Sequence, residues 1–168
     1  MAKIKKMGLI THENRTEVAT DIWLTPPSII QALGEFDLDP CSPLNRPWDT
    51  AKNHYTIHDD GLKSDWFGHV WLNPPYEKKV IGQFMDKMYQ HYNGIALVFG
   101  RTDNKLWHEK IFTKASSLLF LQGRISFLNP DGSKSRNMSG APSVLIGYGN
   151  KNDHYLSICN LKGKFIKL

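Results

Sequence analysis

The sequence predicts an α/β fold with a mostly parallel sheet flanked by helices. Three observations carry this. Short apolar runs alternate with helical stripes through the middle of the chain. Ile95-Ala96-Leu97-Val98-Phe99 is apolar without interruption, as a strand covered on both faces should be. Two acidic or amide residues, Asp39 and Asn73, stand at the ends of short apolar runs, each followed by proline. Strand ends of that kind are where such sheets hold ligands.

The elements follow in order. Trp23-Leu24-Thr25-Pro26-Pro27 precedes a helix over 28–33, with Thr25 as N-cap, proline at the first helical position, and Ile29, Ile30 and Leu33 on one face. Phe36-Asp37-Leu38-Asp39-Pro40-Cys41-Ser42 is a short strand with an acidic end. His69-Val70-Trp71-Leu72 is a second strand, ending in Asn73-Pro74-Pro75-Tyr76. Val80, Ile81, Phe84, Met85, Met88 and Tyr92 make a helical stripe over 77–92, which Gly94 is expected to terminate. The methionines read as core. After the central run at 95–99 comes Gly100-Arg101-Thr102-Asp103, then a helix over 104–113 carrying Leu106, Trp107 and Ile111. Strands are expected at 117–121, 124–128 and 143–148, around a polar loop at 129–142, with a final hairpin over 155–168.

Bulk properties narrow the function classes. The chain has 168 residues, one domain on length and enough for a core. Residues 1–20 are expected as a flexible or edge N-terminal arm and 21–168 as a single domain. The arm carries Lys3, Lys5 and Lys6 without an apolar stretch, so it is not a signal peptide. A net charge of +5 with a pI near 9.2 favours a polyanionic partner. Two cysteines give no disulfide framework, and seven scattered histidines lack the spacing of a zinc site, so no metal is expected. No segment approaches the ~18 apolar residues of a membrane span.

The most informative residues are Asn73, Pro74, Pro75 and Tyr76. The prolines fix their own φ, remove two N–H donors and push their predecessors towards extended geometry. The Asn73 oxygen and nearby carbonyls are then free to accept, beside a flat aromatic ring. That suits a planar group carrying an exocyclic amine; the alternative is an ordinary strand-ending turn.

This tetrapeptide resembles the catalytic motif of S-adenosylmethionine-dependent amino-methyltransferases, which act on adenine N6, cytosine N4 or a glutamine amide. In that superfamily Asn or Asp in first place goes with adenine. Taken with Trp23-Leu24-Thr25-Pro26, with Phe36 to Ser42, with Asp60-Gly61-Leu62 through Trp66 and Gly68, and with Arg101-Thr102-Asp103, the chain resembles the phage-type Dam family of DNA N6-adenine methyltransferases over about 21–148. The resemblance implies a Rossmann-like methyltransferase fold with a C-terminal antiparallel hairpin. It implies site-specific transfer of a methyl group to adenine N6 in double-stranded DNA, with Asn73, Pro74, Pro75 and Tyr76 catalytic. S-adenosyl-L-methionine would be held by Trp23, Thr25, Pro26, Asp39, Pro40, Cys41 and Asp60. Arg101, Thr102, Asp103, Lys134 and Arg136 would touch DNA; a surface ion pair for Arg101 and a plain solvated loop for 129–139 are the alternatives. A monomer or weak dimer in a bacterial cytoplasm, phage-encoded or in a prophage, is the expected setting, and restriction-modification the expected context. Rival readings are an amino-methyltransferase on RNA adenine or cytosine N4, or a non-catalytic DNA-binding protein of the same fold.

One departure stands out. The Gly-x-Gly loop of many methyltransferases is absent, since no glycine follows Asp39 until Gly61. Between Cys41 and Asp60 there is also too little chain for a helix and a strand, so no acidic residue can be assigned to the donor ribose.

Overall fold

The computed structural model describes residues 23–135 and 139–168. The proposed N-terminal arm at 1–20 and the candidate Arg136 lie outside the described residues.

Seven strands form one sheet: β1 (Leu38–Asp39), β2 (Asn53–His54), β3 (Val70–Leu72), β4 (Gly94–Phe99), β5 (Ser117–Leu121), β6 (Ser143–Tyr148) and β7 (Gly163–Lys167). Their order is β2-β1-β3-β4-β6-β5-β7. The pairs β2–β1, β1–β3 and β3–β4 are parallel. The pairs β4–β6, β6–β5 and β5–β7 are antiparallel. The sheet is therefore mixed rather than mostly parallel. The reason is that β6 returns between β4 and β5. Its six residues pair in full with β4, from Gly94 against Tyr148 to Phe99 against Ser143. The antiparallel pairing expected around the polar loop is made by β5 and β6, with β5 in place of the expected strand at 124–128.

Alternation along the central strands feeds two cores. Ala96 and Val98 of β4 face α2 (Lys78–His91) and Trp107, whereas Ile95 and Leu97 face α1 (Pro27–Leu33) and α4 (Asn150–Ile158). In β3, Val70 and Leu72 join the first core and Trp71 the second. Helices thus cover both faces, which is why these strands read as continuous apolar runs.

Several local expectations change. Pro26, not Thr25, occupies the N-cap of α1, with proline at the first turn; the Thr25 side chain turns inward instead and is buried. Helix α2 ends at Tyr92 in the left-handed region (φ 54°), its N–H bonded to the Met88 carbonyl, and Gly94 opens β4. Glycine is needed at 94 for another reason: a Cβ there would stand 2.5 Å from the Val70 carbonyl oxygen. The segment over 104–113 is helical but widened, a π-helix at Leu106–Ile111 running into α3 (Phe112–Lys114). Residues 124–128 are not a strand; Leu128 alone makes bridges, to Leu24 and to Lys134.

The hairpin expected over 155–168 is replaced by α4 followed by β7. Tertiary contacts override the β-leaning residues here. Asn152 and Leu156, one helical turn apart, both face inward. The Asn152 Oδ1 meets His69 Nε2 at 2.6 Å, and its Nδ2 donates to the Tyr148 carbonyl at 2.7 Å. The His69 ring lies between Phe36 and Tyr155, with its Nδ1 at 2.8 Å from the Glu35 carbonyl. Such a docking is invisible in local pattern.

Candidate active site

The carboxyl ends of β1 and β3 open onto one cleft of about 790 Å³. It is lined by Trp23, Thr25, Asp39, Pro40, Cys41, Asp60, Asn73, Pro74, Pro75 and Tyr76, along with residues of the 42–50 segment. Ten of the sequence-selected residues, separated by up to 53 positions, therefore meet at one place. Pro26 does not line it; it caps α1 just behind Thr25.

Asn73 leaves β3 with its amide fixed. Nδ2 donates to the Trp23 carbonyl at 3.1 Å and to the Thr25 hydroxyl at 3.4 Å. Only the amino end of the amide can face a carbonyl, so Oδ1 points the other way. That oxygen is buried and has no protein partner. A buried acceptor left unpaired costs about 1–3 kcal/mol, and a donor from outside would satisfy it.

Tyr76 stacks on Phe99, with ring centroids 4.2 Å apart and planes at 19°. Its hydroxyl reaches the Leu97 carbonyl at 3.5 Å, and burial pushes its acidity well away from neutral pH, so it stays protonated. One face of the ring is thus occupied, and the residue also lines the cleft. Phe99 is itself fixed: Trp107 Nε1 donates to its carbonyl at 3.0 Å, and Phe127 meets its ring edge-on. The widened helix at Leu106–Ile111 is what brings Trp107 under that strand end.

Asp39 is buried at the end of β1. One carboxylate oxygen accepts the Cys41 N–H at 2.9 Å and the other accepts the Thr50 hydroxyl. Burial raises its pKa to about 6, against the opposing pull of Thr50, the Cys41 amide and Arg46. Burial and the neighbouring Asp39 also push the Cys41 thiol well above its ordinary range, so it is a wall residue rather than a nucleophile.

Asp60 lines the cleft but its carboxylate is engaged. Lys63 binds it at 2.7 Å and holds it below the usual carboxylate range, and the Leu62 N–H approaches at 3.3 Å. Asp60 is also in the left-handed region (φ 51°), the start of a turn.

Arg101, Thr102 and Asp103 are exposed just beyond β4 and do not line the cleft. The Arg101 guanidinium lies over the Phe99 ring at 5.8 Å, with no carboxylate in ion-pair range among the described residues. Lys134 is exposed on the polar loop, and Pro130 of that loop reaches the cleft.

Four contributors, Thr50, Arg46, Leu44 and Ile57, escaped the sequence reading. Thr50 and Arg46 act on Asp39 from eleven and seven residues away, across a loop with no motif. Leu44 and Ile57 rim the cleft with 53% and 82% of their surface exposed. Gly61 is the glycine missing after Asp39: a Cβ there would lie 2.0 Å from the Pro40 carbonyl oxygen, so the turn at 60–62 presses directly on the end of β1. Between β1 and β3 the chain makes only the two-residue β2, with no helix and no carboxylate at its end. Among the described residues no cluster of three or more His, Cys, Asp or Glu could hold a metal ion, and no helix is long and apolar enough to cross a membrane.

A strand-end cleft, with a carboxylate on one strand and Asn-Pro-Pro-Tyr on the next, lies where open α/β sheets hold their ligands. A profile of the DNA N-6-adenine-methyltransferase (Dam) family matches residues 12–164, and the chain belongs to that family. A relative from Escherichia phage T1, called DNA N-6-adenine-methyltransferase, is 24% identical over 157 residues, covering 79% of this chain and 64% of the relative. The chain thus spans less than two thirds of that relative's length. No solved structure matches.

Proposed function

We propose that this protein transfers a methyl group from S-adenosyl-L-methionine to the N6 amine of adenine at specific sites in double-stranded DNA. The observation that carries the reading is the Asn73 amide, held by its amino end with a buried, unpartnered acceptor at the other. An exocyclic amine offers the hydrogen that this acceptor lacks.

The cleft fits the donor. Its volume lies in the roughly 300–1,000 Å³ range of small-molecule sites. Asp39 offers a buried carboxylate to the donor's cationic end, and the exposed apolar Leu44, Ile57 and Trp23 offer cover for a base. When bound, the donor supplies an electrophilic methyl on a sulfonium that carries its own positive charge.

Adenine N6 is buried in duplex DNA, so the base must be extruded. It enters the cleft against Tyr76 and displaces the groups that bury Asn73 Oδ1. Asn73 Oδ1 and the Pro74 carbonyl accept the two N6 hydrogens. This draws the nitrogen lone pair out of conjugation and aims it at the methyl carbon. With the donor bound, the N–C bond would form as the donor's S–C bond breaks, and the surplus proton would pass from N6 to solvent, since the two oxygens accept hydrogen bonds but are too weakly basic to keep a proton. Positioning and electrostatics supply the rate, with no covalent step on the protein. Arg101 and Lys134, cationic and exposed near the cleft, serve the phosphates, with Thr102 and Arg136 as further contacts and Asp103 as an acceptor for a base amine.

Labelled methyl transfer to unmethylated duplex DNA, followed by nucleoside analysis, tests this. N6-methyladenine is the expected product. Label in RNA or protein but not DNA would reject the substrate assignment, and no donor binding by calorimetry would reject the enzyme.

A further inference from the structure

Helix α2 does more than cover the sheet. Val80 and Phe84 face the cleft from it. One turn further on, the Lys87 ammonium donates to the Leu62 carbonyl at 2.8 Å and to the Ser64 carbonyl at 2.6 Å. It also lies 5.6 Å from the centre of the Trp66 ring. Lys63, Lys110 and Lys114 all sit on carboxylates, whereas Lys87 has none in ion-pair range among the described residues. Its whole charge is directed at one loop.

That loop is a wall of the cleft. Trp66 Nε1 donates to the Gly61 carbonyl at 2.7 Å, and the indole stacks on Phe84. Gly61 in turn abuts the Pro40 carbonyl beside Asp39, and Asp60, Gly61 and Leu62 all line the cavity. The contacts run without a gap from Lys87 through residues 61–66 to the end of β1. The Asn73 amide hangs on Trp23 and Thr25 instead, which none of these contacts touch.

We infer that Lys87 is a positioning residue for the methyl donor: it buckles the 60–66 loop to α2 and so sets the wall against Asp39. This rests on the reading of the cleft as a donor site. The clamp acts on the donor side alone, so losing it raises the donor KM and leaves acceptor handling intact. Fixed backbone carbonyls also make the clamp independent of any partner's ionisation.

The test is steady-state kinetics on the full chain, with donor and DNA varied separately. Lys87→Met keeps the stem and removes the ammonium; its donor KM should rise about tenfold, the worth of hydrogen bonds to a charged group. Its kcat at saturating donor and its KM for DNA should stay within about twofold, a spread too small to count as a lost contact. Lys87→Arg, which still offers donors to both carbonyls, should recover most of the loss. Trp66→Phe keeps the ring and drops only the bond to Gly61, and should raise donor KM about threefold. It stands in if Lys87→Met fails to fold. Donor KM unchanged in both variants would overturn the inference. So would a fall in kcat at saturating donor matching the rise in KM, or no rescue by arginine. If the wild-type chain binds no donor in calorimetry, the donor reading itself has failed, and that result is separate from these.

Discussion

Replacing Asn73 by alanine separates folding from chemistry. In the folded protein its Nδ2 makes one good hydrogen bond, to the Trp23 carbonyl at 3.1 Å, and one long one, to the Thr25 hydroxyl at 3.4 Å. A neutral hydrogen bond contributes about 0.5–1.5 kcal/mol net, and the unpartnered Oδ1 offsets part of that. The expected cost in stability is therefore about 1 kcal/mol, or ~2–4 °C in Tm for a chain of this size. The effect on transfer should be far larger. A preorganised group acting on the reacting centre is worth about 10²–10³ in kcat, and Asn73→Ala removes it completely. Donor affinity should fall far less than turnover, because Asp39 and the 60–62 turn are untouched and only the hydrogen bonds to Trp23 and Thr25 are lost. The assay is labelled-methyl transfer to duplex DNA at saturating donor, beside calorimetric donor titration and thermal unfolding. Turnover near wild type in a folded Asn73→Ala protein would refute the mechanism. Loss of donor binding in step with turnover would show instead that the amide organises the whole cleft.

Three further outcomes follow from the same geometry. Asp39 titrates near 6 when folded, above its ordinary 3.8, so its protonated form favours the apo fold and that contribution fades as pH rises from about 4 to about 6. A cationic donor needs the ionised form, so donor affinity should fall about tenfold per pH unit below 6; Thr50→Val, which removes a hydrogen bond to the carboxylate, should move that midpoint upward, and a pH-independent affinity would exclude Asp39 from the donor site. Gly61→Ala forces a Cβ against the Pro40 carbonyl and should cost about 1–3 kcal/mol by overpacking along with donor affinity, while an unchanged Tm would contradict the close approach. Arg101→Ala should lower the salt dependence of DNA binding by about one in log–log slope; an unaltered slope would remove Arg101 from the phosphate contacts.

The sequence by itself determined the central strands and the residues that follow β3. Ser117–Leu121 and Ser143–Tyr148 were legible to the residue, and β4 to within one, because strands buried on both faces must be apolar throughout. Asn73 and Tyr76 were legible because two prolines after a strand leave the backbone little choice. Only the tertiary structure decided the rest. The insertion of β6 between β4 and β5, which makes the sheet mixed, depends on pairing partners far apart in the chain. Helix α4 exists because Asn152 finds His69 across the fold, against the local preference of Tyr155 and Ile158. The cleft's chemistry is likewise non-local: Thr50 and Arg46 tune Asp39, Gly61 closes on Pro40, and Trp23 orients Asn73 from fifty residues away. Periodicity reports which face of an element is buried; which polar group meets which is set only when the chain has folded.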